Sequence, residues 1–170
     1  MSMIKRIEYL EELKKWKDKD LIKVVTGIRR CGKSTLLELF IEYLKEKKID
    51  EEHIVSINLE SLEYNFSNYK DLYFYVVSKI NDDKKYYVFL DEIQNIEGFQ
   101  KAVDSLYIKK NIDIYITGSN AFLLSGELAT LLTWRYVEIK MLPLSFKEYV
   151  SAFSGNNNYQ SLFLEYMKNG

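Results

Sequence analysis

Eight residues constrain this chain more than any others: Gly27-Ile-Arg-Arg-Cys-Gly-Lys-Ser34. They match G-x-x-x-x-G-K-[ST], a pattern that carries meaning only where a strand runs into it and a helix leaves it. Both conditions are legible. Leu21 to Ile28 is largely apolar and β-branched, and Leu36, Leu37, Phe40, Ile41 and Leu44 recur at i, i+3, i+4 spacing across Ser34 to Lys47. Glycine at positions 27 and 32 lets the backbone wrap an anion, with the loop's N–H groups and the helix dipole directed at it.

The rest of the chain continues the alternation. Helical stripes are expected at Arg6 to Lys17, Asn68 to Ile80, Gly98 to Lys109 and Ala121 to Leu132, and strands at His53 to Glu60, Tyr86 to Leu90, Ile112 to Thr117 and Tyr136 to Leu142. Strands alternating with helices predict a parallel α/β sheet. A strand buried on both faces reads as a continuous apolar run, whereas an edge strand alternates. By that rule the first, third and fourth strands are interior and the second and fifth are edges, which supports the order 5-1-4-3-2 without fixing it. Pro143 stops the last strand, and Ser145 to Glu148 makes a capping box for a helix through Tyr149 and Phe153. A final amphipathic stripe covers Tyr159, Leu162, Phe163, Tyr166 and Met167. We expect one phosphate-loop domain over residues 1–153 and the start of a further C-terminal piece, cut short, over 154–170.

At 170 residues the chain is long enough to bury such a sheet without disulfides or structural metal. Its 24 basic and 25 acidic residues leave a net charge of -1, so no global positive field marks a nucleic-acid or membrane partner. Cys31 is the only cysteine and His53 the only histidine, which argues against a zinc site and for a reducing, cytoplasmic setting. His53 is read as structural. No apolar run approaches the roughly 18 residues of a membrane span.

The chemistry expected at the loop is phosphate binding. Gly27, Arg30, Cys31, Gly32, Lys33, Ser34 and Thr35 form the contact set, with Lys33 reaching the β and γ phosphates and the Ser34 hydroxyl on Mg²⁺. What the Arg29 and Arg30 side chains do is left open, and Cys31 is read as a small residue filling the loop. Tyr86 to Leu90 ends in Asp91-Glu92, which puts one carboxylate, Asp91, on the magnesium and leaves Glu92 to take a proton from attacking water. The fourth strand ends in Ile116-Thr-Gly-Ser-Asn120, where Asn120 or Ser119 would sense the γ phosphate or cap a helix.

Together, Ile22-Lys-Val-Val-Thr-Gly-Ile-Arg-Arg, Gly32-Lys-Ser-Thr, Leu90-Asp-Glu-Ile-Gln, Ile116-Thr-Gly-Ser-Asn-Ala and Leu142-Pro-Leu-Ser-Phe-Lys-Glu-Tyr resemble a prokaryotic family of AAA-type P-loop ATPases. The resemblance covers nearly the whole chain. It implies a three-layer P-loop fold of the additional-strand, catalytic-glutamate branch with strand order 5-1-4-3-2. It also implies ATP over GTP, Asp91 as magnesium acid, Glu92 as base, Ser119-Asn120 as sensor, and a C-terminal domain of uncertain function in full-length members. One departure stands out: members usually have glycine before the arginine ahead of the last strand, and this chain has Trp134-Arg135. Arg135 is the candidate for an arginine acting in trans or structurally.

The expected function is thus Mg-ATP hydrolysis to ADP and phosphate, driving or switching a C-terminal domain or protein partner, with a homo-oligomer as one arrangement. A non-hydrolysing nucleotide switch is the alternative. A small-molecule kinase ranks lower, since neither an arginine-bearing lid nor an acceptor pocket is legible. A nucleic-acid role rests on family analogy alone. The adenine pocket is not located by the sequence; Trp16 to Lys23 is only a first place to look.

Overall fold

The computed structural model describes residues 6–119, 132, 135–151, 153 and 158–169. In chain order the elements are α1 (Ile7–Trp16), β1 (Ile22–Gly27), α2 (Lys33–Glu46), β2 (Ile54–Asn58), α3 (Tyr69–Ser78), β3 (Tyr86–Asp91) and α4 (Phe99–Tyr107). There follow β4 (Ile112–Ser119), β5 (Tyr136–Met141), α5 (Phe146–Ser151) and α6 (Tyr159–Asn169). The helix expected over Ala121 to Leu132 falls almost wholly outside the described residues.

All five strands are parallel and lie in the order β2-β3-β4-β1-β5, which is the expected 5-1-4-3-2 read from the other edge. Every residue of β1 and β3 is buried, whereas β2 and β5 carry exposed positions. Period-two alternation sorts the interior strands into two cores. Ile22, Val24, Val88, Leu90, Ile114 and Ile116 pack with Leu72, Val76, Phe99 and Val103 of α3 and α4. Val25, Tyr87, Phe89, Tyr115 and Ile139 face Leu13, Leu36, Phe40 and Leu44 of α1 and α2. Helix, sheet and helix make the three layers.

Side chains cap the starts of α3 and α5, the second of them as read. Asn68 accepts at its side chain from the backbone N–H groups of Lys70 and Asp71, opening α3. Ser145 and Glu148 bond reciprocally at the start of α5, with Ser145 N donating to Glu148 Oε2 at 2.8 Å and Glu148 N donating to Ser145 Oγ at 3.3 Å. α6 folds back on α5: the Phe146 and Phe163 rings meet edge to face at 5.2 Å, and Tyr166 donates to the Leu144 carbonyl at 2.6 Å.

The N-terminal ends of the strands hold a buried polar knot. Lys23 and Asp113, with side chains 0% and 1% exposed, form an ion pair across β1 and β4. Asp113 Oδ2 also accepts from Tyr115 Oη at 2.8 Å and from the Asp18 N–H at 2.9 Å, and Asp18 in turn accepts from Tyr87 Oη at 2.8 Å. The knot ties the turn after α1 to three strands. Burial lowers the pKa of the Lys23 ammonium, with Asp113 opposing it, and burial pushes the Tyr87 phenol up to about 12.

Candidate functional site

In a parallel sheet of this kind the functional crevice lies beyond the carboxyl ends of the strands. β1 ends at Gly27, β3 at Asp91 and β4 at Ser119, and β4 lies between β1 and β3. The loop, the acid pair and the polar end of β4 therefore share one end of the sheet.

Local conformation explains the loop's composition. A Cβ on Gly27 would sit 2.5 Å from Cys31 Sγ and 2.8 Å from the Met141 carbonyl oxygen, so only glycine fits where β1 gives way to the loop beside the end of β5. Arg30 and Gly32 both take positive φ, 65° and 93°, and Cys31 N donates back to the Ile28 carbonyl at 3.3 Å. Left-handed residues at alternate positions turn successive N–H groups into one concavity, an anion nest. Cys31 is buried and fills the turn, as read from its size. The Arg30 side chain is exposed, and Arg29 pairs with Glu60 at 3.1 Å on the surface. Ser34 and Thr35 stand half-buried on the first turn of α2.

Lys33 is placed with unusual economy. Its side chain is 3% exposed, and its ammonium lies 3.4 Å from Glu92 Oε1 and 3.4 Å from the Ile28 carbonyl oxygen. Glu92 holds a left-handed backbone (φ 55, ψ 51), rare for a side chain of this size. Two residues not singled out from the sequence hold it. Thr117 Oγ1 donates to Asp91 Oδ1 and accepts from the Glu92 N–H at 2.9 Å, clamping both acids from β4. Gln94 Nε2 donates to Glu92 Oε2, and its Oε1 is buried with no hydrogen-bond partner among the described residues. The sequence did carry a signal for Thr117, a hydroxyl ending an otherwise apolar strand.

The structure brings together Lys33, Asp91 and Glu92, and it does not bring Arg135 to them. Arg135 precedes β5 and accepts from Ile22 N at 2.8 Å, with its guanidinium over the Tyr107 ring at 5.6 Å. That is the far end of the sheet, one strand length or about 20 Å from the loop at ~3.3 Å per residue. Arg135 therefore does not join Lys33, Asp91 and Glu92 within one copy of the chain, which leaves the expected role in trans or in structure. Asn120 and Trp134 lie outside the described residues, and Ser119 ends β4 half-buried. Trp16 to Lys23, first considered for adenine, also lies at the wrong end, because β1 must run its length before reaching the loop. A cleft of about 460 Å³, lined by Arg6, Tyr9, Leu142, Pro143 and Glu148 among others, is joined to the loop through Arg6, which donates to the Cys31 carbonyl.

His53 is buried, with Nε2 3.2 Å from Asp82 and its ring 4.8 Å from that of Tyr86. Asp50 and Glu52 come within 4.8 Å of it, closer company than the sequence reading allowed, but Asp82 already holds the ring.

The sequence profile of the AAA domain family matches residues 19–150. An uncharacterized protein of Haemophilus influenzae is 47% identical over 99% of this chain and 44% of its own length. A second, from Methanocaldococcus jannaschii, is 33% identical over 76% of this chain and 28% of its length. The chain therefore spans less than half the length of these curated relatives. Among solved structures, a DNA polymerase III gamma subunit-related protein of Thermotoga maritima superposes with TM-score 0.61 at 15% identity, covering 85% of this chain and 49% of that one. At that identity the likeness speaks for the fold. No helix among the described residues is long and apolar enough to cross a membrane.

Proposed function

Because this chain belongs to the AAA domain family, whose members are nucleotide-binding modules of the ATPase type, we propose that it hydrolyses Mg-ATP to ADP and phosphate. The observation that carries this is the convergence of a buried Lys33 ammonium, Asp91 and Glu92 at the mouth of an anion nest. Lys33 neutralises charge on the β and γ phosphates. Water attacks the γ phosphorus in line, the bond from that phosphorus to the bridging oxygen breaks, and Glu92 takes the proton of the water. The Ser34 hydroxyl and Asp91 are hard oxygen donors suited to Mg²⁺, which keeps several waters and binds through one or two carboxylates plus phosphate. When bound, the ion supplies positive charge against the phosphate oxygens. The γ-phosphate sensing first assigned to Asn120 or Ser119 remains part of this proposal, to which the cleft between Arg6–Tyr9 and Leu142–Glu148 is added as the seat of the purine.

Arg135, on this reading, acts in trans at the site of a neighbouring copy or holds the start of β5 against Tyr107. The output of the cycle goes to a C-terminal domain or protein partner. One observation favours the alternative, a switch that binds without turnover: Glu92 is engaged by both Lys33 and Gln94, and a carboxylate so occupied is a poor base until nucleotide displaces those contacts.

The test compares melting midpoints with and without Mg-ATP for the wild-type chain and Lys33→Ala, then phosphate release for wild type and Glu92→Gln. Ligand at about a hundredfold above Kd adds about 2.7 kcal/mol, a shift of several degrees for a domain of this size. Lys33→Ala should lose most of that shift, and Glu92→Gln should keep it while losing phosphate release. A folded wild-type sample with no shift would falsify nucleotide binding. A shift without phosphate release would leave the switch.

A further inference from the structure

Arg6 enters α1 as nothing more than a helix boundary in the sequence, yet its guanidinium joins three distant parts of the chain. Nη1 donates to the Cys31 carbonyl at 2.9 Å and to the Leu142 carbonyl at 2.8 Å, and Nη2 donates to the Pro143 carbonyl at 3.5 Å. Nε pairs with Glu148 Oε1 at 2.9 Å, and Nη2 reaches Oε2 at 3.3 Å. The side chain is 7% exposed, and its guanidinium carbon lies 4.6 Å from the centre of the Tyr9 ring. Only a planar fork with five N–H donors can serve acceptors spread this way; an ammonium cannot.

The Cys31 carbonyl belongs to the peptide that carries the Gly32 N–H. A trans peptide is planar, so its C=O and N–H point in opposite directions, and the described residues contain no cis bond. Anchoring the carbonyl on Arg6 therefore sets where the Gly32 N–H points. The anchor matters at this peptide because Gly32, at φ 93 with nothing within 4 Å of an added Cβ, has no side-chain packing to hold its plane. On the other side, Glu148 belongs to α5, against which α6 packs.

We propose that Arg6 is a positioning residue of the phosphate loop, aiming the Gly32 N–H at bound phosphate, and that Glu148 orients Arg6 so that the placement of α5 and α6 is felt at the loop. This rests on the nucleotide-binding reading above. It gives the C-terminal helical pair a physical line to the site: movement of α5 alters the Arg6 fork, and the fork alters one peptide of the nest.

The experiment measures binding of inorganic triphosphate with magnesium, and of Mg-ATP, by calorimetry to wild type, Arg6→Lys, Glu148→Gln and the double variant. Inorganic triphosphate has no base, so the neighbouring cleft contributes nothing to its binding. Arg6→Lys keeps the charge and should weaken triphosphate and ATP by the same factor, about tenfold for one misaimed donor to a charged group. Glu148→Gln should weaken both several-fold in the wild-type background and add nothing to Arg6→Lys. Unchanged triphosphate affinity in Arg6→Lys, with ATP alone weakened, overturns the inference and leaves Arg6 as a wall of the cleft. Additive effects overturn the link to α5. Should Arg6→Lys fail to fold, a folded Glu148→Gln with wild-type triphosphate affinity overturns it as well. A folded wild-type chain that binds neither ligand removes the nucleotide reading itself, a result distinct from any of these.

Discussion

At Gly27 the demand is steric, whereas at Gly32 it is conformational. The first has Cys31 Sγ at 2.5 Å and a backbone oxygen at 2.8 Å from any added Cβ; the second has open space but φ 93. Gly27→Ala should therefore force the loop and the end of β5 apart, an overpacking cost of about 1–3 kcal/mol, while Gly32→Ala should cost about 1 kcal/mol of backbone strain. Denaturant midpoints of the two variants check the ranking, and an equal or smaller loss at Gly27 would contradict the contact. Both glycines, Lys33 and Asp91 were legible because a motif compresses a three-dimensional requirement into local spacing. Thr117 showed only as a hydroxyl at the end of an apolar strand, and Gln94, two residues from Glu92, carried no sign of its role. Arg6 was not legible at all, because it acts on partners that only the fold brings to it and meets Glu148 across 142 residues of chain.

At the level of elements, β1 and β4 read as apolar strands, yet they carry Lys23 and Asp113 facing each other in full burial. Removing one partner of such a pair leaves an uncompensated charge, so Asp113→Asn should destabilise the chain by about 3–5 kcal/mol near neutral pH. The folded pKa of Lys23 is already lowered by burial from 10.5, and losing Asp113 lowers it further. The unfolded chain then binds more protons over the window below 10.5, so stability rises with pH there and the deficit of the variant should shrink. Chemical denaturation at two pH values below that limit decides the matter; a deficit that does not change with pH would mean that Lys23 stays charged without its partner. Helix and strand existence was legible from stripes such as Tyr69, Leu72, Tyr73 and Val76. The buried pair was not, because its members lie 90 residues apart and neither alone differs from a solvated charge.

Across the whole molecule, the polar knot and the nucleotide end occupy opposite ends of the sheet, about 20 Å apart at ~3.3 Å per residue. Tyr87 has a folded pKa of about 12 against 10.0 unfolded, chiefly through burial. A raised folded pKa contributes stability that is whole below the unfolded value and lost as pH climbs through the folded one. The melting midpoint should thus fall between pH 10 and about 12, less steeply in Tyr87→Phe. Because distant sites add, that variant should leave the Mg-ATP-induced shift at neutral pH unchanged; a changed shift would show that the two ends of the sheet are coupled. The sequence alone determined the parallel α/β class and set the loop and the acid pair at strand ends, since hydrophobic period and local spacing are written along the chain, while the three layers were implied by the family resemblance. The tertiary structure decided which end of the sheet each residue occupies. It set Arg135 and Trp16 to Lys23 apart from the loop and brought Arg6, Thr117 and Glu148 to bear on it, because parallel register and long-range side-chain contacts exist only once the strands are side by side.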